Sequence, residues 1–498
     1  MAQANRIPHH IGGKRVQEAA ATSPVFDPSL GTVQAEVALA DAVQIASAVQ
    51  IASNAQRDWA RTGLAKRSAV FFHLREILTS RATELATVIS REHGKTIDDA
   101  LGEVTRGIEN VEFCAGLMHH LKGDFASQVS TGIDVHQLRQ ALGVVACVTP
   151  FNFPAMVPLW MVTTALAAGN AVILKPSERD PSAALWLVDA FEEAGLPAGV
   201  LNVVHGDKTA VDALIEHPDV AAISFVGSTP VAKSIYANAA AHGKRVQALG
   251  GAKNHMIVMP DADLGMAADA AVSAAFGSAG ERCMAISVLV VVGGIGEQLI
   301  PLVAERARSL RIGKGSDTES DMGPLISADA LRRVQGFLDS AEEVGAELVV
   351  DGRSAKLPEA GYFIGPSLVD HVQPGMRVYD EEIFGPVLSI VHVPDYASAV
   401  ALINANPFAN GTALFTRDGK TARSFSNDIE VGMVGINVPI PVPVGAFSFG
   451  GWKNSLFGDT HMYGPESFNF YTRRKIVSTR WPEPSESQIT MGFPTNSA

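Results

Sequence analysis

The chain has 498 residues, 47% hydrophobic and 18% charged, with a formal net charge of -13. This composition excludes a disordered polymer and predicts a globular protein with material for two or three domains and a large core. The acidic balance argues against nucleic-acid binding, but not against a pocket that is locally basic around an anion.

The first residues, MAQANRIPHHIGGKRV, lack the basic-then-apolar order of a secretory signal, and no apolar run reaches the length of a membrane span. We expect a cytoplasmic protein with no membrane partner. From about residue 40 to 120, Ala, Leu and Ile recur at helical spacing between charges, as in SAVFFHLREILTSRATELATVIS, which predicts several amphipathic helices. After residue 140 the pattern changes to short β-rich runs, GVVACVTP, NAVILKP, GVLNVVHG and VAAISFVGS, separated by helical stretches such as SAALWLVDAFEEAG. That alternation predicts βαβ units and a parallel sheet. A second α/β series follows, with HMIVMP, ISVLVVVGG, AELVVDG and GINVP as strands. STGIDVHQLRQAL and NFYTRRKIV alternate polar and apolar residues, and could pair into a protruding sheet used in assembly. The Pro/Ser-rich end, from 483 to 498, reads as a mobile tail.

Three cysteines cannot form a disulfide framework, and their spacing matches no metal site, so we expect no metal and a reducing compartment. Cys114 and Cys147 lie in apolar runs and read as small core hydrophobes. Cys283 differs: Gly277, Ser278, Ala279 and Gly280 leave room for close approach, and Arg282 beside it can favour a thiolate. A thiolate attacking a carbonyl creates an oxyanion, which the Asn152 amide and the Cys283 backbone N–H could meet; the plainer reading makes Asn152 a turn residue between two phenylalanines. Lys175 and Glu178 follow a strand, where dinucleotides bind in open α/β sheets, and Gly227 and Ser228 stand between a strand and a helix start suited to a pyrophosphate.

TPFNFP, LKPSE, FVGST, LGGAKN, FGSAGERC, EEIFGP and NPFANGTALFT, in that order, resemble the motifs of NAD(P)-dependent aldehyde dehydrogenases along essentially the whole chain. The resemblance implies an α/β aldehyde dehydrogenase-like fold. Its parts would be a Rossmann-type NAD domain over 1–122 and 142–251, an α/β catalytic domain over 252–466, and an oligomerisation β extension over 123–141 and 467–482. It also implies a homodimer or homotetramer. By the same resemblance Cys283 is the nucleophile and Asn152 its oxyanion donor. The cofactor would meet Thr149, Phe151, Lys175, Glu178, Arg179, Gly227, Ser228, Glu382 and Phe384, with Glu178 favouring NAD over NADP and Arg179 weakening that preference. Where the family often has a second glycine after FVGST, this chain has Ala232.

One departure narrows the expected function. The family's general base belongs to Glu-Leu-Gly-Gly-Lys; here QALGGAKNH places Ala248 at the glutamate, with an extra Ala252 before Lys253. A methyl group accepts no proton, so hydrolysis of a thioester should be slow and a thiol cosubstrate, coenzyme A, should take the acyl group. PFNFPAMVPLW, GSAGERCMA and EVTRGIENVEF resemble the CoA-acylating branch of the family that oxidises malonate and methylmalonate semialdehydes with loss of carbon dioxide. Such a substrate carries a carboxylate suited to an arginine fork, which selects Arg282 and Arg106. Arg106 could instead be a solvated helix position paired with Glu103 or Glu109, three residues to either side. The rivals are a hydrolytic enzyme using another base, such as Glu382, and a non-catalytic relic of the fold.

Overall fold

The structure is a computed structural model and describes residues 6–486, 489 and 491. Two sheets organise it. The first has eight strands, in the order Leu456–Phe457, Arg245–Leu249, Val220–Val226, Val144–Val148, Ala171–Lys175, Leu201–Val203, His9–Ile11 and Lys14–Val16. Its five central strands run parallel, while the outer additions are antiparallel. The runs VVACV and AVILK are buried at every position, as expected of parallel strands covered on both faces. One face carries the helices Ala42–Arg61, Lys208–Glu216 and Thr229–Ala241; the other carries Leu64–Ser80, Ala82–His93, Ile97–Ala115, Met156–Ala167 and Ser182–Glu193. Strand order reverses between Val144–Val148 and Val220–Val226, which opens a crevice at their carboxyl ends.

The second sheet has seven strands: Glu347–Val350, Ser367–Asp370, Val387–Val393, Ile286–Val292, Asn254–Val258, Gly411–Phe415 and Met433–Ile436. All are parallel except the first. It packs with the helices Leu264–Phe276, Gly296–Ser309 and Ala328–Glu343 in its own apolar core. Residues 456–457, inside the range expected for the second domain, return to pair with Ala248 and Leu249 of the first sheet.

The two segments expected to pair do so in a three-stranded sheet. Ile133–Ala141 pairs antiparallel with Thr472–Arg480, from Thr472 opposite Ala141 to Arg480 opposite Ile133, and Phe125–Ser130 adds a third strand. Residues 467–470 belong instead to the helix Gly464–Phe470. Most of the expected tail, 483–498, lies outside the described residues.

Candidate active site

Cys283 is reached through a backbone that few side chains adopt: Ser278, Ala279 and Gly280 have φ of 53°, 51° and 74°. Gly280 is required twice over, because a Cβ there would stand 2.2 Å from the Gly385 carbonyl oxygen as well as being strained. The close approach ties the turn before Cys283 to the Glu382–Pro386 segment, itself bent at Phe384 with φ of 56°. The Cys283 carbonyl accepts from Asn254 Nδ2 at 2.9 Å and Asn410 Nδ2 at 3.2 Å, so two amides pin its main chain. Neither had a role read from sequence, although both lie in quoted motifs, LGGAKN and NPFANG.

Asn152 is held by a buried ion pair that the sequence did not reveal. Lys95 Nζ donates to the Asn152 carbonyl at 2.7 Å and to Glu103 Oε2 at 2.8 Å, with both charged side chains fully buried. Glu103 Oε1 accepts from the Ala155 and Met156 amides at 2.8 and 3.0 Å, occupying the start of the helix that follows. No hydrogen bond within the protein engages the Asn152 side chain among those described, and the residue lines the same cavity as Cys283.

That cavity, of about 730 Å³, gathers Thr149, Phe151, Asn152, Lys175, Glu178, Arg179, Gly227, Ser228, Cys283, Glu382 and Phe384, together with Arg333. The eleven expected residues thus come from the carboxyl ends of three parallel strands and from two loops of the second sheet. Arg333, within LRRVQG, carried no sequence signal. Lys175 Nζ donates to the Gly206 carbonyl at 2.8 Å and sits 3.3 Å from Glu178 Oε2. The Arg179 guanidinium lies over the Phe151 ring at 5.4 Å. Ser228 starts the helix Thr229–Ala241 without capping its first amides, and Thr149 Oγ1 is buried with no partner. Ala232 is buried in the apolar core on this face.

Glu382 Oε1 accepts from the Ala252 amide at 2.8 Å, and its carboxylate lies where a Cβ on Gly251 would be, 2.3 Å from Oε2. Desolvation raises the pKa of this carboxyl. Desolvation, and then the Glu382 charge, push the Cys283 thiol up to about 12. Arg282 acts in the expected direction but is outweighed, because its guanidinium is committed to an ion pair with Asp99. Arg282 does not line the large cavity. Arg106 pairs with Glu109, at 3.1 and 2.9 Å, with its side chain 43% exposed; Glu103 is not its partner, being committed to Lys95. Burial raises the pKa of the Tyr463 hydroxyl, which donates to the Pro443 carbonyl at 2.8 Å.

Ala248 lies on the opposite face of its sheet from the cluster against which Cys283 packs. Side chains alternate along a strand. Val246 and Ala248 turn into the core beside Phe225, Ala232 and Ile235, whereas Leu249 belongs to the cluster against which Cys283 packs. On the face that carries this cluster the strand therefore presents leucine, not an acid.

The sequence model of the aldehyde dehydrogenase family matches residues 16–477. A malonate-semialdehyde dehydrogenase of Pseudomonas aeruginosa is 52% identical over 491 residues, covering 98% of this chain and 99% of its own. One from Geobacillus kaustophilus is 46% identical over 477 residues, covering 95% and 99%. Among solved structures, the methylmalonate-semialdehyde dehydrogenase of Oceanimonas doudoroffii superimposes with a TM-score of 0.95 at 50% identity, covering 97% of this chain and 99% of that one. A Sinorhizobium meliloti protein described as a methylmalonate-semialdehyde dehydrogenase, complexed with NAD, gives 0.96 at 50% identity over 98% and 100%. With its motifs, its crevice at the strand reversal and this match over nearly its whole length, the chain belongs to the aldehyde dehydrogenase family.

Proposed function

We propose that the protein is an NAD-dependent, CoA-acylating dehydrogenase that converts malonate or methylmalonate semialdehyde to acetyl-CoA or propionyl-CoA. The observation that carries the choice of acceptor is the end of the strand Arg245–Leu249, where Leu249 belongs to the apolar cluster against which Cys283 packs, Ala248 is buried on the opposite face, and neither offers a base to activate water. The relatives described above carry the choice of substrate.

NAD supplies the hydride acceptor when bound, and the residues present fit it. The uncapped helix start at Ser228 suits a pyrophosphate, Thr149 Oγ1 is a buried hydroxyl in need of a partner, and Lys175 and Glu178 stand at the strand end where a ribose would lie. Cys283 Sγ adds to the aldehyde carbon after losing its proton, forming a hemithioacetal oxyanion. The Asn152 amide and the Cys283 backbone N–H receive that charge. Loss of hydride yields a thioester on Cys283. The β-carboxylate then leaves as carbon dioxide, its bonding pair passing into an enolate held by the same donors. The proton of the CoA thiol balances the carbon centre, and the CoA sulfur displaces Cys283. One semialdehyde, one NAD and one CoA thus give one acyl-CoA, one carbon dioxide and one NADH.

Arg106 and Arg282 are the proposed carboxylate partners, Arg282 acting on release from Asp99. The proposed assembly is a homodimer or homotetramer joined through the three-stranded sheet. The three cysteines are free, in keeping with a reducing cytoplasm. Among the described residues, no helix is long and apolar enough to cross a membrane.

The test is product analysis with malonate semialdehyde and NAD, with and without CoA. Without CoA, NADH should appear as one burst near one equivalent per site; with CoA, turnover should continue and release carbon dioxide and acetyl-CoA. Full turnover without any thiol would favour hydrolysis, with Glu382, whose charge reaches Cys283, as the base.

A further inference from the structure

Behind the cavity wall lies a set of ionisable groups that the proposed chemistry does not use. Glu281, two residues before Cys283, is fully buried. Its Oε1 accepts from the Ile326 amide at 3.3 Å, while Oε2 has no hydrogen-bond partner. Facing Oε2 at 4.0 Å is Nε2 of His93, at the end of the helix Ala82–His93, and neither nitrogen of that ring has a hydrogen-bond partner. The His93 ring stacks on Phe151 with centroids 5.8 Å apart, so the pair links the nucleophile's turn to the wall of the cofactor cavity.

The charged groups that reach Glu281 are Arg179, from the segment after Ala171–Lys175, and Lys95, from the loop after His93. Neither is free to neutralise it. Arg179 is turned onto Phe151, and Lys95 is committed to Glu103 and the Asn152 carbonyl. Burial therefore dominates: it pushes the Glu281 carboxyl up to about 8 and the His93 imidazole well below its usual value. An ionised carboxylate beside an imidazolium would leave two charges in a dry site, whereas a carboxylic acid can donate its proton to a neutral imidazole.

We propose that Glu281 works as a neutral carboxylic acid whose proton is shared with His93. In this proposal the uncharged pair is a positioning device that holds the left-handed turn Ser278–Gly280, and with it the Cys283 amide, for acylation. It rests on the reading of Cys283 as the acylated nucleophile. Above its midpoint Glu281 becomes an unpaired buried anion, and the turn should loosen.

The test compares the unmutated protein with Glu281→Gln, which keeps the shape and an N–H donor but cannot ionise, and Glu281→Ala. The readout is the rate of the NADH burst with malonate semialdehyde between about pH 6.5 and 9.5. At pH about 7, Glu281→Gln should stay within about two-fold of the unmutated rate, while Glu281→Ala falls by at least about ten-fold with NAD affinity unchanged by fluorescence titration. The ratio of the Gln variant to the unmutated protein should then rise about ten-fold by pH about 9, where an acid with a midpoint near 8 is roughly one-tenth neutral. Iodoacetamide alkylation of Cys283 in both proteins over the same pH range reads any direct effect of the Glu281 charge on the thiol, and an alkylation ratio that rises as steeply as the burst ratio would overturn the proposal. A flat ratio, or a Gln variant as impaired as the Ala variant at neutral pH, would overturn the proposal while leaving the nucleophile reading intact. Absence of any burst from the unmutated protein would overturn both.

Discussion

Ala248 and Leu249 are neighbours in sequence, yet they face opposite sides of their sheet, and the difference decides which one bears on deacylation. Leu249→Glu should divert part of the flux to free acid, read as acetate formed without CoA, because its side chain lies on the sheet face whose apolar cluster Cys283 packs against. Ala248→Glu should give no free acid and should destabilise by about 3 kcal/mol, since it sets a carboxylate among Phe225, Ala232 and Ile235. Chemical denaturation and product analysis separate the two. The high thiol pKa gives a second prediction at this scale. With Cys283 near 12, alkylation by iodoacetamide in the absence of NAD should be slow at neutral pH and still rising at pH about 10. Removing the anion with Glu382→Gln favours the thiolate and so lowers that pKa, and alkylation should speed up several-fold below pH about 10. An unchanged or slower rate would show that desolvation alone sets the thiol.

At the scale of elements, the turn before Cys283 is the most constrained segment of the site. Gly280→Ala meets both a left-handed φ and the Gly385 carbonyl, so it should cost about 2–4 kcal/mol of stability and most of the burst rate. Gly243→Ala, at a comparable φ of 69° but with open space around the Cβ, should cost about 1 kcal/mol and leave the burst intact. The same scale shows what the sequence could tell. VVACV, AVILK and ISVLVVV are apolar runs of strand length bounded by turn residues, and each is a strand. RVQAL was not recognisable as one because its buried Gln247 is satisfied from elsewhere, by donation to the Thr460 and His461 carbonyls. The cavity residues were legible because they travel in short motifs. Lys95 and Glu103 were not, since what makes them matter is contact with residues about 50 positions away, and in sequence they read as ordinary charges on a helical stretch.

At the scale of the whole molecule, the three-stranded sheet leaves apolar side chains on both of its faces uncovered by the chain itself. Pairing of Phe125 with His136, and of Lys475 with Leu138, puts Phe125 and Leu138 on one face; Ile476, opposite Gln137, lies on the other. All three apolar side chains are exposed. A two-sided sheet of this kind loses little by standing free only if each face is polar, and each face here carries an exposed apolar side chain. Each buried apolar side chain contributes about 1.5–3 kcal/mol, so covering both faces in an assembly stabilises it appreciably. Leu138→Asp and Ile476→Asp therefore test the two faces separately by light scattering across a dilution series. If both faces are covered, each variant should weaken association by at least about ten-fold. If only Leu138→Asp has an effect, the sheet joins copies through the Phe125 face alone, which points to a dimer. A protein that stays the same size in both variants would remove the sheet from the assembly and leave its exposed apolar residues in need of another partner.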